Sequence, residues 1–171
     1  MNVPATQHQQ KPTLLSSCAV AATAAEASYR INAPEFARRG SRVIALDGES
    51  GGIVRELGGR SWSGGHFLVF ESAVPDDALL RRVGTGDTAL LSEELDGADT
   101  VVMVASAGAN AEAASIIGDA AAARGIMSAG LVLPCDDQVN EVVAALRPNA
   151  MVLVVLRDAA DVPEILSALR V

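Results

Sequence analysis

TVVMVASAGANAEAASIIGDAAAARGIMSAGLVLP, residues 100–134, contains a complete strand–loop–helix–strand unit, and this unit decides the fold class. Thr100–Ala105 and Ser128–Leu133 are short apolar runs, which are typical of strands buried on both faces. Between them, Asn110 is placed to cap a helix and Gly125 to end it. The apolar residues of that helix recur at helical spacing, at Ala113, Ala114, Ile116, Ile117, Ala120 and Ala121. The stretch therefore predicts two parallel strands joined by a helix.

The same alternation continues on both sides of this unit. Three more apolar runs predict strands, at Arg42–Asp47, His66–Glu71 and Met151–Leu156. Helical patterns follow a loop at Asp47–Gly52 and a connection at Pro75–Gly86. The first two predicted helices are Ile53–Leu57 and Thr88–Leu95, the second with Asp87 as its cap. A third bears Val139 to Leu146 and has Asp136 or Asp137 as its cap. The last begins at a capping box over Asp161–Glu164.

Strands that alternate with capped helices predict one α/β domain with a doubly wound, mostly parallel, five-stranded sheet, either Rossmann-like or flavodoxin-like. Two strand orders remain open, 3-2-1-4-5 and 2-1-3-4-5. Residues 1–12 are polar and rich in Gln, and they predict an N-terminal arm. The domain then spans residues 13–171 and starts with an Ala-rich helix over Leu14–Tyr29 and a short helix from Pro34.

Composition argues against two classes of partner. The chain has 13 Lys and Arg against 21 Asp and Glu, a net charge of −8, and its arginines are scattered along the sequence. Nucleic acid is therefore not an expected partner, because duplex binding requires clustered cations. No run approaches the roughly 20 apolar residues of a membrane span, and the polar start does not resemble a secretory signal. We expect a cytoplasmic protein that does not bind membranes.

The candidate ligand site lies in the loops that follow the first and third predicted strands. Ligands of doubly wound sheets bind outside the carboxyl ends of the strands, where glycines and helix N-termini favour anions. Candidate ligand-binding residues are Asp47, Glu49, Ser50, Gly51 and Gly52 in the first loop and Ser106, Gly108 and Asn110 in the second. With the order 2-1-3-4-5, both loops flank one crevice. The alternative is that the glycines form plain turns and Asn110 is only a helix cap.

Other chemistry-bearing residues carry weaker signals. Cys18 and Cys135 lie far apart, and no C-x-x-C or other metal-ligand spacing occurs, so no metal site is predicted. His66 begins a strand and belongs to the edge opposite the crevice, while Trp62 among glycines is a candidate interface loop. Neither G-x-x-x-x-G-K-[ST] nor G-x-G-x-x-G is present, and the sequence names no cofactor.

Gly97–Pro134 resembles the central strand–loop–helix–strand of the bacterial tubulin-like cell-division GTPases. The resemblance rests on the initial Gly97-Ala98-Asp99, the apolar strand, the small-residue loop and the Arg124-Gly125-Ile126 turn. It implies that Ser106–Asn110 grips nucleotide phosphates, although this loop has one glycine where that family has a run of glycines and threonines. The same stretch is similar to sugar-phosphate isomerase-type domains, which bind phosphosugars through small polar residues such as Ser106, Gly108 and Asn110.

Three hypotheses for function follow. The first is a small-ligand-binding or regulatory domain that accepts a phosphate- or carboxylate-bearing metabolite at the carboxyl edge of the sheet. The second is a transferase or isomerase that uses the same crevice, with Asp47 or Glu49 as the acid–base group. The third is a structural or assembly protein whose crevice is vestigial. In each case we expect a homo-oligomer.

Overall fold

A computed structural model describes residues 40–134, 138–169 and 171 of the chain. The strands are β1 (Ser41–Ala45), β2 (Gly65–Val74), β3 (Asp77–Arg82), β4 (Thr88–Leu90), β5 (Thr100–Ala105), β6 (Met127–Val132) and β7 (Val152–Val155). The α-helices are α1 (Gly48–Gly58), α2 (Leu91–Leu95), α3 (Ala111–Ala123), α4 (Val139–Leu146) and α5 (Val162–Ala168), with one 3₁₀ turn at Ala159–Asp161. The predicted arm, the first two predicted helices, Cys18, Cys135 and the caps Asp136 and Asp137 lie outside the described residues.

The described strands form one sheet in the order β4-β3-β2-β1-β5-β6-β7. All five predicted strands are confirmed, and their neighbours pair in parallel, β1 with β2 and β5, β5 with β6, and β6 with β7. Their order is the second of the two alternatives, 2-1-3-4-5. The first and third predicted strands, β1 and β5, are therefore adjacent, and their carboxyl ends lie side by side.

Helices cover both faces of the sheet, as the continuous apolar strands predict. On one face the strands pack against α2, α3 and α4, with Ile44, Met103 and Ile117 at the centre of that core. On the other face they pack against α1 and α5, with Val43, Leu131 and Leu166 in the core. Successive residues of β1 and β5 alternate between the two cores, because side chains of a strand point to opposite faces. The loops that carry the candidate site thus follow β1 and β5, two strands that are covered on both faces.

The prediction of a five-stranded sheet is wrong in one respect, because the sheet has seven strands. Residues assigned to a connection form the antiparallel strand β3, joined to β2 by a tight turn in which Asp76 has φ 60°. The third member of this meander, β4, replaces the start of the predicted helix Thr88–Leu95. β3 has only two buried residues, Ala78 and Leu80, and ends in two arginines, so it lacks the continuous apolar run by which the predicted strands are recognised.

Two predicted caps are also wrong. Asp87 does not cap α2, because α2 begins after β4 and has no side-chain cap. The Asp87 carbonyl instead accepts from Arg82 N across the β3–β4 turn, at 2.8 Å. Asp161 makes no capping hydrogen bond at α5. Asp158 caps the preceding 3₁₀ turn instead, accepting from Ala160 N at 2.9 Å. At α2 the extra strand β4 moves the helix start away from Asp87, whereas α5 begins directly after Asp161 as predicted but without the capping hydrogen bonds.

The helix after β1 begins five residues earlier than predicted. Asp47 is its N-cap and forms a capping box with Ser50: Ser50 N donates to Asp47 Oδ1 at 2.9 Å, and Asp47 N donates to Ser50 Oγ at 3.2 Å. These bonds satisfy N–H groups that a helix start leaves free, so the helix tolerates three early glycines, Gly48, Gly51 and Gly52. Gly51 also brings the helix close to β2, since a Cβ there would lie 3.5 Å from Val69 Cγ1.

Two glycine substitutions test this packing with opposite expected signs. A Cβ on Gly118 of α3 would lie 2.6 Å from Asn149 Cβ, so Gly118→Ala should lower the free energy of unfolding by about 1–2 kcal/mol, overpacking outweighing helix propensity. Gly52→Ala adds a methyl group with no atom within 4 Å, and it should raise that free energy by about 0.5–1 kcal/mol. Urea unfolding checks both, and a stable Gly118→Ala protein would contradict the close contact.

Candidate functional site

The carboxyl ends of β1 and β5 meet in the way the site prediction requires. The strands pair in register from Ser41 and Thr100 to Ala45 and Val104, and Leu46 N continues the ladder by donating to Val104 O at 2.9 Å. The next residues, Asp47 and Ser106, therefore lie side by side. The structure thus brings together two of the predicted residues that are 59 positions apart in the chain.

The Asp47 carboxylate bridges the two loops. Its Oδ2 accepts from Ser106 N at 2.8 Å, and its Oδ1 accepts from Ser106 Oγ at 2.6 Å as well as from Ser50 N at 2.9 Å. Ser50 and Ser106 have no exposed surface. We call these three residues the Asp47 staple. The N–H and O–H groups that an incoming phosphate would use at this point already bind a carboxylate of the protein itself.

The remaining predicted residues surround the staple in different ways. Gly108 is exposed, and a Cβ on it would lie 3.5 Å from Asp47 Cβ. Asn110 caps α3 as predicted, with its Oδ1 accepting from Ala113 N at 3.1 Å. Glu49 and Gly52 are exposed on α1, whereas Gly51 is buried toward Val69. A ligand reaching this edge would meet Glu49 and the Gly108 backbone first. Whether one binds there stays a prediction.

A second polar cluster, which the sequence analysis did not find, lies at the opposite edge of the sheet. Glu94 of α2, with 3% of its side chain exposed, accepts from Arg82 Nε at 2.6 Å and lies 3.2 Å from His66 Nδ1. Arg42 Nε donates to the Glu94 carbonyl at 2.6 Å and lies 3.3 Å from Glu94 Oε2. These groups come from three strands and a helix, so no residue spacing within one segment of the sequence predicts the cluster.

The electrostatics of this cluster favour an ionised glutamate. Burial alone would raise the pKa of Glu94, but the hydrogen bonds from Arg82 and His66, together with the charges of Arg82 and Arg42, hold that pKa below its ordinary value. Arg42 is itself buried, with 6% of its side chain exposed, and its Nη1 has no hydrogen-bond partner. The cluster therefore depends on one negative charge that is shared by two arginines and contacted by His66.

Trp62 has a local partner in the structure. Its Nε1 donates to the carbonyl of Leu57 at 2.8 Å, and its ring lies against Phe67 with centroids 5.3 Å apart. The tryptophan therefore closes the end of α1 over the sheet. The interface role expected for this loop stays a prediction.

Cavities lie away from the staple. One of about 550 Å³ lies between the β2–β3 turn and α3, and it is lined by acidic side chains that include Asp76, Glu112 and Asp119. Another of about 360 Å³ lies between α1, β2 and the β3–β4 turn and contains Arg55, Arg81 and Arg82. Three arginines from two separate segments of the sequence are thus gathered in one place. No group of three or more His, Cys, Asp or Glu among the described residues is arranged to hold a metal ion.

Removal of the Asp47 carboxylate tests the staple. Asp47→Ala should lower the free energy of unfolding by about 2–4 kcal/mol, because a helix cap is lost and buried donors are left without an acceptor. Formate at tens of millimolar should restore part of this stability, since the same donors then bind a free carboxylate. Asp158→Ala removes an exposed cap and serves as the control, which formate should not rescue. Equal responses of the two variants to formate would contradict the staple.

The Glu94 cluster predicts a specific acid sensitivity. Because folding lowers the pKa of Glu94, its ionised form stabilises the fold above the unfolded-state pKa of about 4.3, and this contribution is lost as pH falls through the folded-state value. Glu94→Gln should cost about 3–5 kcal/mol near neutral pH, with the difference from wild type shrinking below about pH 4. Urea unfolding across this range measures it, with exposed Glu93→Gln as the control. A difference independent of pH would contradict the assignment.

Comparisons of the chain with known proteins found no relative. No protein-family model, curated protein or solved structure matches the chain. The two resemblances of residues 97–134 therefore stay predictions that rest on those residues alone. In the described part of the chain, no helix is long and apolar enough to cross a membrane.

Proposed function

We propose that this chain is an assembly domain that joins to a second copy of itself through the edge strand β7. This is the third of the hypotheses drawn from the sequence. The observation that carries it is the exposure of an uncharged, apolar strand at one end of the sheet. The order 2-1-3-4-5 of the parallel strands supports a Rossmann-like, flavodoxin-type assignment of the scaffold that presents this strand.

β7 lacks the cover that parallel strands usually have. It pairs with β6 on one side, and no described strand pairs with its other side. Its sequence is Val-Leu-Val-Val, and the exposed fractions of Val152 and Val155 are 42% and 48%. Met151, which precedes it, is 77% exposed, and Met127 at the start of β6 is also exposed. Parallel strands are normally buried on both faces, so this edge favours a partner.

The sequence of β7 also contains neither a charged residue nor a proline, the residue types that block edge pairing. Natural edge strands are protected by Lys, Pro, a bulge or very short length. The opposite edge strand, β4, is three residues long and begins with an exposed Thr88. β7 has four residues without a charge or a proline. A strand of this kind offers free N–H and C=O groups together with apolar side chains.

A second copy is the occupant that this edge fits best. Two β7 strands related by a two-fold axis pair in antiparallel fashion, which satisfies the edge of both copies at once and continues the sheet across the interface. Such an isologous contact needs only one patch that is complementary to itself. The methionines beside β7 are flexible enough to fill the contact on either face.

The Asp47 staple is the reason for preferring assembly to the two hypotheses that use the crevice. A ligand-binding or catalytic crevice needs free polar groups that converge on the ligand. Here the donors of Ser50 and Ser106 are bound to Asp47. Binding of a phosphate- or carboxylate-bearing metabolite at this edge, and transferase or isomerase chemistry there, stay predictions without a supporting contact.

Light scattering coupled to gel filtration tests the proposal on the full chain. Wild type should elute as a dimer whose fraction rises with concentration. Val155→Lys should give a monomer with an unchanged circular dichroism spectrum, because the charge lies on an exposed position of the paired edge. Thr88→Lys places the same charge on the other edge strand and should leave the dimer intact. A wild-type monomer at every concentration, or a Val155→Lys dimer, would overturn the proposal.

A further inference from the structure

The cavity of about 360 Å³ beside α1, here called the arginine groove, concentrates positive charge in an acidic protein. Its walls include Arg55 of α1, Arg81 and Arg82 of β3, and the turn residues Gly84–Gly86. The whole chain has a net charge of −8, so three guanidinium groups around one cavity are not a consequence of composition. This groove lies apart from both the Asp47 staple and the β7 edge.

Two of the three arginines are partly neutralised. Arg81 Nε and Nη2 donate to the two carboxylate oxygens of Glu71 at 2.5 and 2.9 Å, and Arg81 Nη1 donates to Gly86 O at 3.3 Å. Arg82 uses Nε to reach Glu94, while 43% of its side chain stays exposed. Arg82 therefore binds the buried Glu94 through Nε, and its Nη groups are left to donate into the groove.

Arg55 is the arginine of the groove that has no direct ion pair among the described residues. It makes no salt bridge or side-chain hydrogen bond with any described residue. Its guanidinium lies close to Gly51, where a Cβ would be 3.4 Å from Arg55 Nη1 and 3.5 Å from Val69 Cγ1. The charge of Arg55 also helps to lower the pKa of Glu71, after the larger effect of the hydrogen bond from Arg81. The guanidinium thus lies near Gly51, at the α1 side of the groove.

The turn on the far wall is open at Gly84 and Thr85, whereas Gly86 N donates to Arg82 O at 3.0 Å. Gly84 and Gly86 have φ of 101° and 77°, and a Cβ on either would meet no atom within 4 Å. Thr85 between them carries a hydroxyl group that accepts from Asp87 N at 3.4 Å. Glycines in left-handed conformations let a ligand approach the main chain closely, as in loops that bind anions.

We propose that the arginine groove binds the phosphate group of a small phosphorylated metabolite. Arginine forks bind phosphate oxygens in pairs, and a phosphate that concentrates two charges on one group matches Arg55 together with the Nη groups of Arg82 better than the separate carboxylates of citrate do. The volume is that of a small-ligand site. Glu71 is exposed and competes for the same cations, so a bound phosphate displaces or shares its contact with Arg81.

Calorimetric titration of the full chain with inorganic phosphate, pyrophosphate and citrate tests the proposal. Wild type should bind the two phosphates at millimolar concentration or better and citrate at least fivefold more weakly. Arg55→Gln should weaken phosphate binding at least fivefold. Arg60→Gln removes a charge from the end of the same helix, where Arg60 pairs with Glu56, and it should bind as wild type does. Glu71→Gln removes the competing carboxylate and should tighten binding.

Nuclear magnetic resonance locates the site independently of affinity. The amide signals of residues 84–86 should shift on addition of pyrophosphate, and those of residues 106–110 should not. The proposal would be overturned if phosphate did not bind, if citrate bound more tightly, or if Arg55→Gln bound phosphate as wild type does. Shifts confined to residues 106–110 would also overturn it. Light scattering on Arg55→Gln keeps this result separate from assembly, because the variant should retain the wild-type mass whichever outcome the β7 variants give.

Discussion

The hydrogen bonds of the Asp47 carboxylate are the contact on which the carboxyl edge of the sheet depends. The same side chain caps α1 and holds the loop after β5, so two strand–helix units are fixed to each other by one charged group. Charge-assisted hydrogen bonds of this kind are stronger than neutral ones. The place where doubly wound sheets usually bind ligands is here a structural joint.

The two polar clusters follow the same physical rule at opposite edges of the sheet. Each contains one carboxylate with several donors, which is the arrangement that makes a buried charge tolerable. Glu94 differs from Asp47 in that its partners are charged, and Arg82 connects it to the arginine groove. Ionisation of Glu94 therefore holds Arg82 at the wall of the groove, which links the stability of the cluster to the geometry of that surface.

The proposed assembly edge and the proposed anion site lie in separate parts of the sheet. β7 lies at one end of the strand order, and the arginine groove lies beside β2 and β3 near the other end. A dimer formed through β7 would leave the arginine groove of each copy open to solvent. Uncharged valines at one edge and arginines near the other give the two surfaces opposite chemistry, so each can act without the other.

The sequence by itself determined the fold class, the five parallel strands and the cap at Asn110, because apolar runs, helical spacing and capping residues act over a few neighbouring positions. It also selected Asp47 and Ser106 as neighbours under one of two strand orders. Only the tertiary structure decided that they bind each other, that β3 and β4 extend the sheet, and that Arg55, Arg81 and Arg82 share a groove. These features depend on pairing between residues distant in the chain, which local periodicity does not encode.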